Sequence, residues 1–90
     1  MKLVFDPQKD ALNVSKHGIS LDQANLVFNN PNKITLESDR QGENRLMDIA
    51  IVELNGVVLV LVYVLREESI RPISLRRASK RERSLYATYI

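Results

Sequence analysis

Asn55-Gly56 stands between two β-leaning segments, Arg45 to Leu54 and Val57 to Leu65, and limits the architecture more than any other feature of the chain. A two-residue hairpin of type I′ needs positive φ at both turn positions, which Asn and Gly tolerate best. The two segments are therefore predicted to pair antiparallel. Val57 to Tyr63 is apolar without alternation, which predicts burial on both faces at the centre of a sheet and delivery of Arg66 to the sheet's end. The longest apolar run, Val57 to Leu65, is too short to span a bilayer and ends on Arg66.

Around this hairpin the remaining elements read in order. Met1 to Phe5 alternates weakly and predicts a short opening strand. Asp6-Pro7 is a helix start, because the Asp oxygen can accept a backbone N–H and Pro costs nothing at the first helical position. Gly18 is the matching stop, preceded by Lys16 and His17 at the negative end of the helix dipole. Ser20 to Gln23 has the spacing of a capping box and predicts a second helix at once, with Ala24, Val27 and Phe28 on its buried side and Asn29-Asn30-Pro31 at its end. Lys33 to Ser38 is a short strand, and Asp39 to Asn44, with Gly42, a turn. After a loop at Glu67 to Ser69, Ile70 to Ser74 is expected as an edge strand because it contains Pro72. Leu75 to Ala78 reads as a separate short turn, and the Ser79-x-x-Glu82 spacing starts a last helix near Lys80. The fold class is α+β over residues 1–90 as one domain: a short N-terminal strand, a two-helix corner on an antiparallel sheet of about four strands, and a C-terminal helix.

Ninety residues with 44% hydrophobic content supply one modest core and no second one. A deep enclosed pocket would consume that core, so a surface groove is the expected site. Without cysteine there is no disulfide framework, thiolate metal site or cysteine nucleophile. No signal-peptide pattern opens the chain, and a cytoplasmic protein without membrane attachment is expected. The carboxylates lack His-rich ligand spacing, so neither a metal nor another cofactor is expected.

The net charge of +2 hides an asymmetry. Residues 1 to 65 carry six Lys and Arg against eight Asp and Glu, whereas residues 66 to 90 carry seven against three. Arg66, Arg71, Arg76, Arg77, Lys80, Arg81 and Arg83 are too many for Glu67, Glu68 and Glu82 to neutralise, and the planar guanidinium fork suits phosphate oxygens. Contact with a polyanion such as RNA is the favoured reading; a solvated helix face or a docking face for an acidic partner is the alternative. Cleaving RNA without metal requires a proton to leave the 2′-hydroxyl, charge stabilisation at phosphorus and a proton for the leaving 5′-oxygen. The arginines can supply the second. Glu82 is a candidate for the first, although its capping spacing with Ser79 accounts for it equally well. His17, the single histidine, is a candidate acid, base or phosphate contact, with a helix-closing role as the commoner alternative. Tyr86 and Tyr89 are close enough on one helix to stack on bases, but core packing is their simpler role.

Taken together, Lys9 through Asn13, Lys16-His17-Gly18-Ile19, Ala24, Val27-Phe28, Gly42-Glu43-x-Arg45, the strand ending at Arg66, Arg71-x-Ile73-Ser74-x-Arg76-x-Ala78 and Glu82-Arg83-x-x-Tyr86 follow the order seen in bacterial BrnT toxins. The chain resembles that family over nearly its whole length. The resemblance implies a fold like that of RelE-type ribonuclease toxins and an endoribonuclease activity that arrests growth. It also implies neutralisation by a BrnA-type antitoxin, whose ribbon-helix-helix domain binds operator DNA, with the toxin reaching DNA only through it and a dimer as one arrangement of the complex. Carried over by position, the active residues are Arg66, Arg71, Arg76, Glu82 and Arg83, with Lys16 and His17 in support; Arg77 and Lys80 belong to the expected RNA-binding surface. The sequence departs from the family where Phe5-Asp6 stands without a Trp, where Val64-Leu65 replaces Thr-Glu before Arg66, and where Pro72 and Leu75 replace Ile and Ala. Those departures keep open a second function, a weakened toxin homologue acting with its antitoxin in operon repression. A monomeric RNA chaperone is a third.

Overall fold

The computed structural model describes residues 2–40, 43–52 and 56–89. Its elements are β1 (Lys2–Leu3), α1 (Pro7–His17), a 3-10 turn (Leu21–Gln23), α2 (Ala24–Phe28), β2 (Ile34–Arg40), β3 (Glu43–Val52), β4 (Val57–Arg66), β5 (Ser69–Arg77) and α3 (Lys80–Tyr89). The strands form one sheet in the order β1-β5-β4-β3-β2, antiparallel except for β1, which runs parallel to β5. The α+β class and the C-terminal helix agree with expectation, but the sheet has five strands rather than four.

As the unbroken apolar run predicts, β4 lies at the centre. Leu59, Val60 and Leu61 are buried in succession, so both faces of the strand are covered. On one face Leu59, Leu61 and Tyr63 join Leu21, Ala24, Val27, Ile70 and Leu75 beneath the first two helices. On the other, Val60 and Ile49 pack with Ala78 and Tyr86 of the α3 region. Burying a large aliphatic side chain contributes about 1.5–3 kcal/mol, so the larger cluster under α1 and α2 supplies most of the apolar stabilisation. The β3–β4 ladder pairs Val52 with Val57 and Leu46 with Tyr63. Gly56 has φ +62°, while Asn55, its partner in the expected turn, lies outside the described residues, as do Glu53 and Leu54.

Four local expectations change. The turn expected over residues 39–44 is narrower, because the β2–β3 ladder continues to the Arg40–Glu43 pair; Gly42 itself lies outside the described residues. The opening strand shrinks to Lys2–Leu3. The second helix does not begin at Ser20 with a reciprocal capping box: Ser20 accepts from the Asp22 N–H, and a 3-10 turn precedes a five-residue α2. Asp10 of α1 explains the change, since its Oδ1 accepts both the Leu21 N–H at 2.7 Å and the Ser20 hydroxyl at 3.0 Å. Finally, β5 is not a short edge strand followed by a turn. It runs nine residues to Arg77, with β1 along its beginning.

Pro72 is tolerated inside β5 because the ladder is irregular there. Tyr63 pairs with Pro72 and Val62 with Ser74, which leaves Ile73 as the extra residue of a β-bulge. Beyond Ile70, β1 gives β5 no further partner, and the side chain of Asn13 takes its place at Leu75. Its Oδ1 accepts the Leu75 N–H at 3.1 Å and its Nδ2 donates to the Leu75 carbonyl at 2.9 Å and to that of Ile19 at 2.7 Å. One buried amide thus caps an exposed ladder edge and fixes the turn after α1.

Candidate active site

The bulge at Ile73 has a direct consequence for the arginines. Arg71 and Arg76 are five residues apart, and regular alternation would turn them to opposite faces of the sheet. The extra residue restores them to one face: Arg71 pairs with Val64, Ser74 with Val62, and Arg76 with Val60. Residues paired across a ladder share a face, so these three lie on the side of Val60, the side that α3 packs against. Arg66, opposite Ser69 at the end of the ladder, continues the same row. Arg77 pairs with Leu59 and belongs to the opposite side.

The row is long. Six positions of β4 separate the level of Arg76 from that of Arg66, roughly 20 Å at 3.3 Å per residue, and about 13 Å separate Arg76 from the level of Arg71. The expected convergence of strand end and helix start is therefore confined to the Arg76 end, where β5 meets α3. Arg66 is carried to the opposite end of the ladder by the β4–β5 hairpin, whose two-residue turn places Glu67 at φ +37°.

At the Arg76 end the geometry is closely defined. The guanidinium grips Glu82 with both terminal nitrogens, Nη1 to Oε1 at 2.7 Å and Nη2 to Oε2 at 2.9 Å. Oε1 also accepts the Ser79 N–H at 2.8 Å, and the Ser79 hydroxyl accepts the Glu82 N–H at 3.2 Å. The capping box read from the Ser-x-x-Glu spacing is formed, and the same carboxylate doubles as the clamp on Arg76. The Arg76 fork, helped by the Ser79 backbone, holds the Glu82 carboxyl down at about 2. It is ionised at neutral pH, both oxygens are engaged, and so low a value makes it a weak proton acceptor. What Glu82 does well is orient Arg76. Arg83 reaches back to the Ala78 carbonyl at 3.1 Å, and Lys80 and Arg81 are exposed on α3.

Lys16 and His17 close α1, in the layer packed on the opposite face from Arg71 and Arg76. Tyr86 is buried and donates its hydroxyl to the Asn32 carbonyl at 3.2 Å, while Tyr89 is exposed; the pair forms no stacking platform. No group of three or more metal-binding side chains occurs among the described residues, and none of their helices is long and apolar enough to cross a membrane.

Sequence reasoning missed one charged centre altogether. Asp48 of β3 is fully buried under α2, where it accepts from the Lys33 ammonium at 2.7 Å, the Thr35 hydroxyl at 2.7 Å and the Tyr63 hydroxyl at 3.1 Å. Lys33 also lies 4.1 Å from the centroid of the Phe28 ring. Burial, with the neighbouring carboxylate, pushes the Tyr63 phenol well above its ordinary range. The Thr35–Asp48 register of β2 and β3 and the Asp48–Leu61 register of β3 and β4 bring these partners together, and neither is a local signal in the sequence.

Compared with known protein families, the sequence matches the profile of the ribonuclease toxin, BrnT, of type II toxin–antitoxin systems over residues 5–82. No curated protein matches it significantly.

Proposed function

Since the chain belongs to the BrnT family of ribonuclease toxins, whose type II systems pair each toxin with an antitoxin, we propose that it is a metal-independent endoribonuclease acting in the cytoplasm. The observation that carries this reading is the Arg76–Glu82–Ser79 network, which presents a rigid, fully charged guanidinium at the junction of β5 and α3. Nη1 donates to the carboxylate and, at 3.4 Å, to the Arg77 carbonyl, and Nη2 spends one N–H on the carboxylate, which leaves the second Nη2 N–H and Nε for a phosphate oxygen. In this reading Arg76 stabilises the charge that develops on the scissile phosphate, and Glu82 positions it rather than taking the 2′-proton. A preorganised cation costs no reorganisation as charge builds up, which is why charge stabilisation carries the rate here. Arg83 and Lys80 hold the flanking backbone. Lys16 and His17 contribute from the far layer to binding more than to proton transfer.

The partner in this reading is a BrnA-type ribbon-helix-helix antitoxin, and the toxin meets operator DNA through it. Cleavage of RNA in the presence of chelator tests the activity. Arg76→Ala is expected to lower the rate about 100- to 1000-fold, the usual cost of one charge-stabilising donor, with His17→Ala retaining most of it. Equal rates for wild type and Arg76→Ala would overturn the assignment.

A second reading is favoured by Val64 and Leu65, which stand where the family resemblance leads one to expect Thr and Glu. It makes the chain a weakened toxin that works as a binding module with its antitoxin in operon repression. Alternation divides the two: Val64 shares the arginine face, whereas Leu65, paired with Ile70, lies on the opposite one. Growth arrest on expression without the antitoxin would exclude the purely regulatory reading.

A further inference from the structure

The open end of the arginine face has its own geometry. α3 covers the sheet around Ile49 and Val60, and the cluster it forms reaches Met47 and Val62 but not Val64. At the level of Val64, Arg71 stands on one side in β5. Arg45 stands on the other in β3, one residue beyond the Leu46–Tyr63 pair and on the same face as Met47 and Ile49. Three adjacent strands thus present Arg45, Val64 and Arg71 abreast over about 10 Å, two strand spacings. Arg66 follows one alternation further along β4.

We propose that Arg45, Arg66 and Arg71 form a second phosphate subsite, distinct from the Arg76 end, and that the two together select an extended single-stranded RNA; this rests on the ribonuclease reading of the same face. The levels of Arg76 and Arg71 lie roughly 13 Å apart along the strands, and the Arg76 guanidinium is fixed on Glu82 rather than turned toward Arg71, so a ligand held at both carries more than one phosphate in line along β4 and β5. The Ser74 hydroxyl lies between them, suited to a ribose or phosphate oxygen. All five aromatic residues are elsewhere: Phe5, Phe28 and Tyr63 pack on the opposite face, Tyr86 is buried against α3, and Tyr89 is exposed on α3. With no ring for a base to stack on, the strand is held by its backbone, and binding is tolerant of base sequence. Glu67 and Glu68 at the hairpin turn temper Arg66, which makes Arg71 the principal contact of the subsite.

Binding of 2′-O-methyl RNA, which cannot be cleaved through its 2′-oxygen, is measured by anisotropy for a dinucleotide, a tetranucleotide and an octanucleotide of mixed sequence over a range of salt. Wild type is expected to gain affinity with length. Arg71→Gln should lose that gain and lower the salt slope by about 0.7 for each phosphate contact removed, with Arg71→Lys restoring most of the slope and a circular-dichroism melt confirming that each variant folds. Arg45→Gln should act in the same direction, whereas Arg76→Ala should weaken every length alike. A length gain that survives in Arg71→Gln would overturn the subsite, and so would a hairpin duplex bound as tightly as the single strand. The two claims separate cleanly. Cleavage lost in Arg76→Ala alongside a length gain insensitive to Arg71 overturns only the subsite, and a length gain with no cleavage by wild type overturns only the activity.

Discussion

Between the sheet and its first two helices lie two buried polar groups, each tied by several hydrogen bonds: Asp48 of β3 to Lys33, Thr35 and Tyr63, and Asn13 of α1 to Ile19 and both backbone groups of Leu75. Under α3 the contact is smaller and apolar, Ala78 and Tyr86 on Ile49 and Val60, and the charged groups stay partly in solvent, with the Arg76 side chain 28% and that of Glu82 18% exposed. One face is stitched shut. The other is held by a light helix and leaves a row of cations accessible. A polar group surrounded by protein loses water and must be repaid by protein partners, so such networks specify geometry at high stakes. A guanidinium that keeps part of its hydration can exchange water for phosphate at little cost, which is what a ligand site requires.

The sharpest way to break this contrast is to cut the stitched face at its charge. Asp48→Ala leaves the ammonium of Lys33, whose side chain is 24% exposed, and the Tyr63 hydroxyl without their acceptor, and is expected to lower the unfolding free energy by about 3 kcal/mol. A urea melt measures it. A loss no larger than that of a surface substitution would show that the network contributes little. Asn13→Ala comes next, at about 2 kcal/mol, because the buried Leu75 N–H loses its acceptor while the apolar packing is largely kept. If the amide acts as a substitute strand, hydrogen exchange at Leu75 should accelerate far more than at Leu61 across the ladder. Uniform acceleration would point to general loosening instead.

The contrast also tracks what could be read in advance. The apolar run of β4, the Asp6-Pro7 start, the Gly18 stop and the Ser79–Glu82 cap are local signals, and the structure contains each. The features that escaped depend on partners far away in the chain. Asp48 reads as one more residue of a strand until the register sets it beside Thr35 and the fold brings Lys33 and Tyr63 to it. Ser20 offers a capping box, yet Asp10 already occupies the Leu21 N–H, and a 3-10 turn results. Pro72 rightly signals an interruption of the ladder, but the chain answers with a bulge rather than by ending the strand. That bulge is what aligns Arg71 with Arg76, so the arginine face was legible as a list of residues and not as a surface.

The smallest expected effect concerns the accessible face and tests whether Glu82 works as a charge. Its carboxyl falls from the ordinary 4.5 to about 2 through Arg76 and Ser79. A carboxylate with a depressed folded-state value contributes stability that is fully present above its unfolded value and is lost as the pH falls toward the folded one. Wild type should therefore exceed Glu82→Gln in stability near neutral pH by about 1 kcal/mol, a figure kept low because solvent screens the pair. The gap should shrink between about pH 4.5 and pH 2. Paired urea melts across that window measure it. A gap that does not change with pH would mean that the neutral amide serves Arg76 as well as the carboxylate does, and the positioning role of Glu82 would then be one of shape alone.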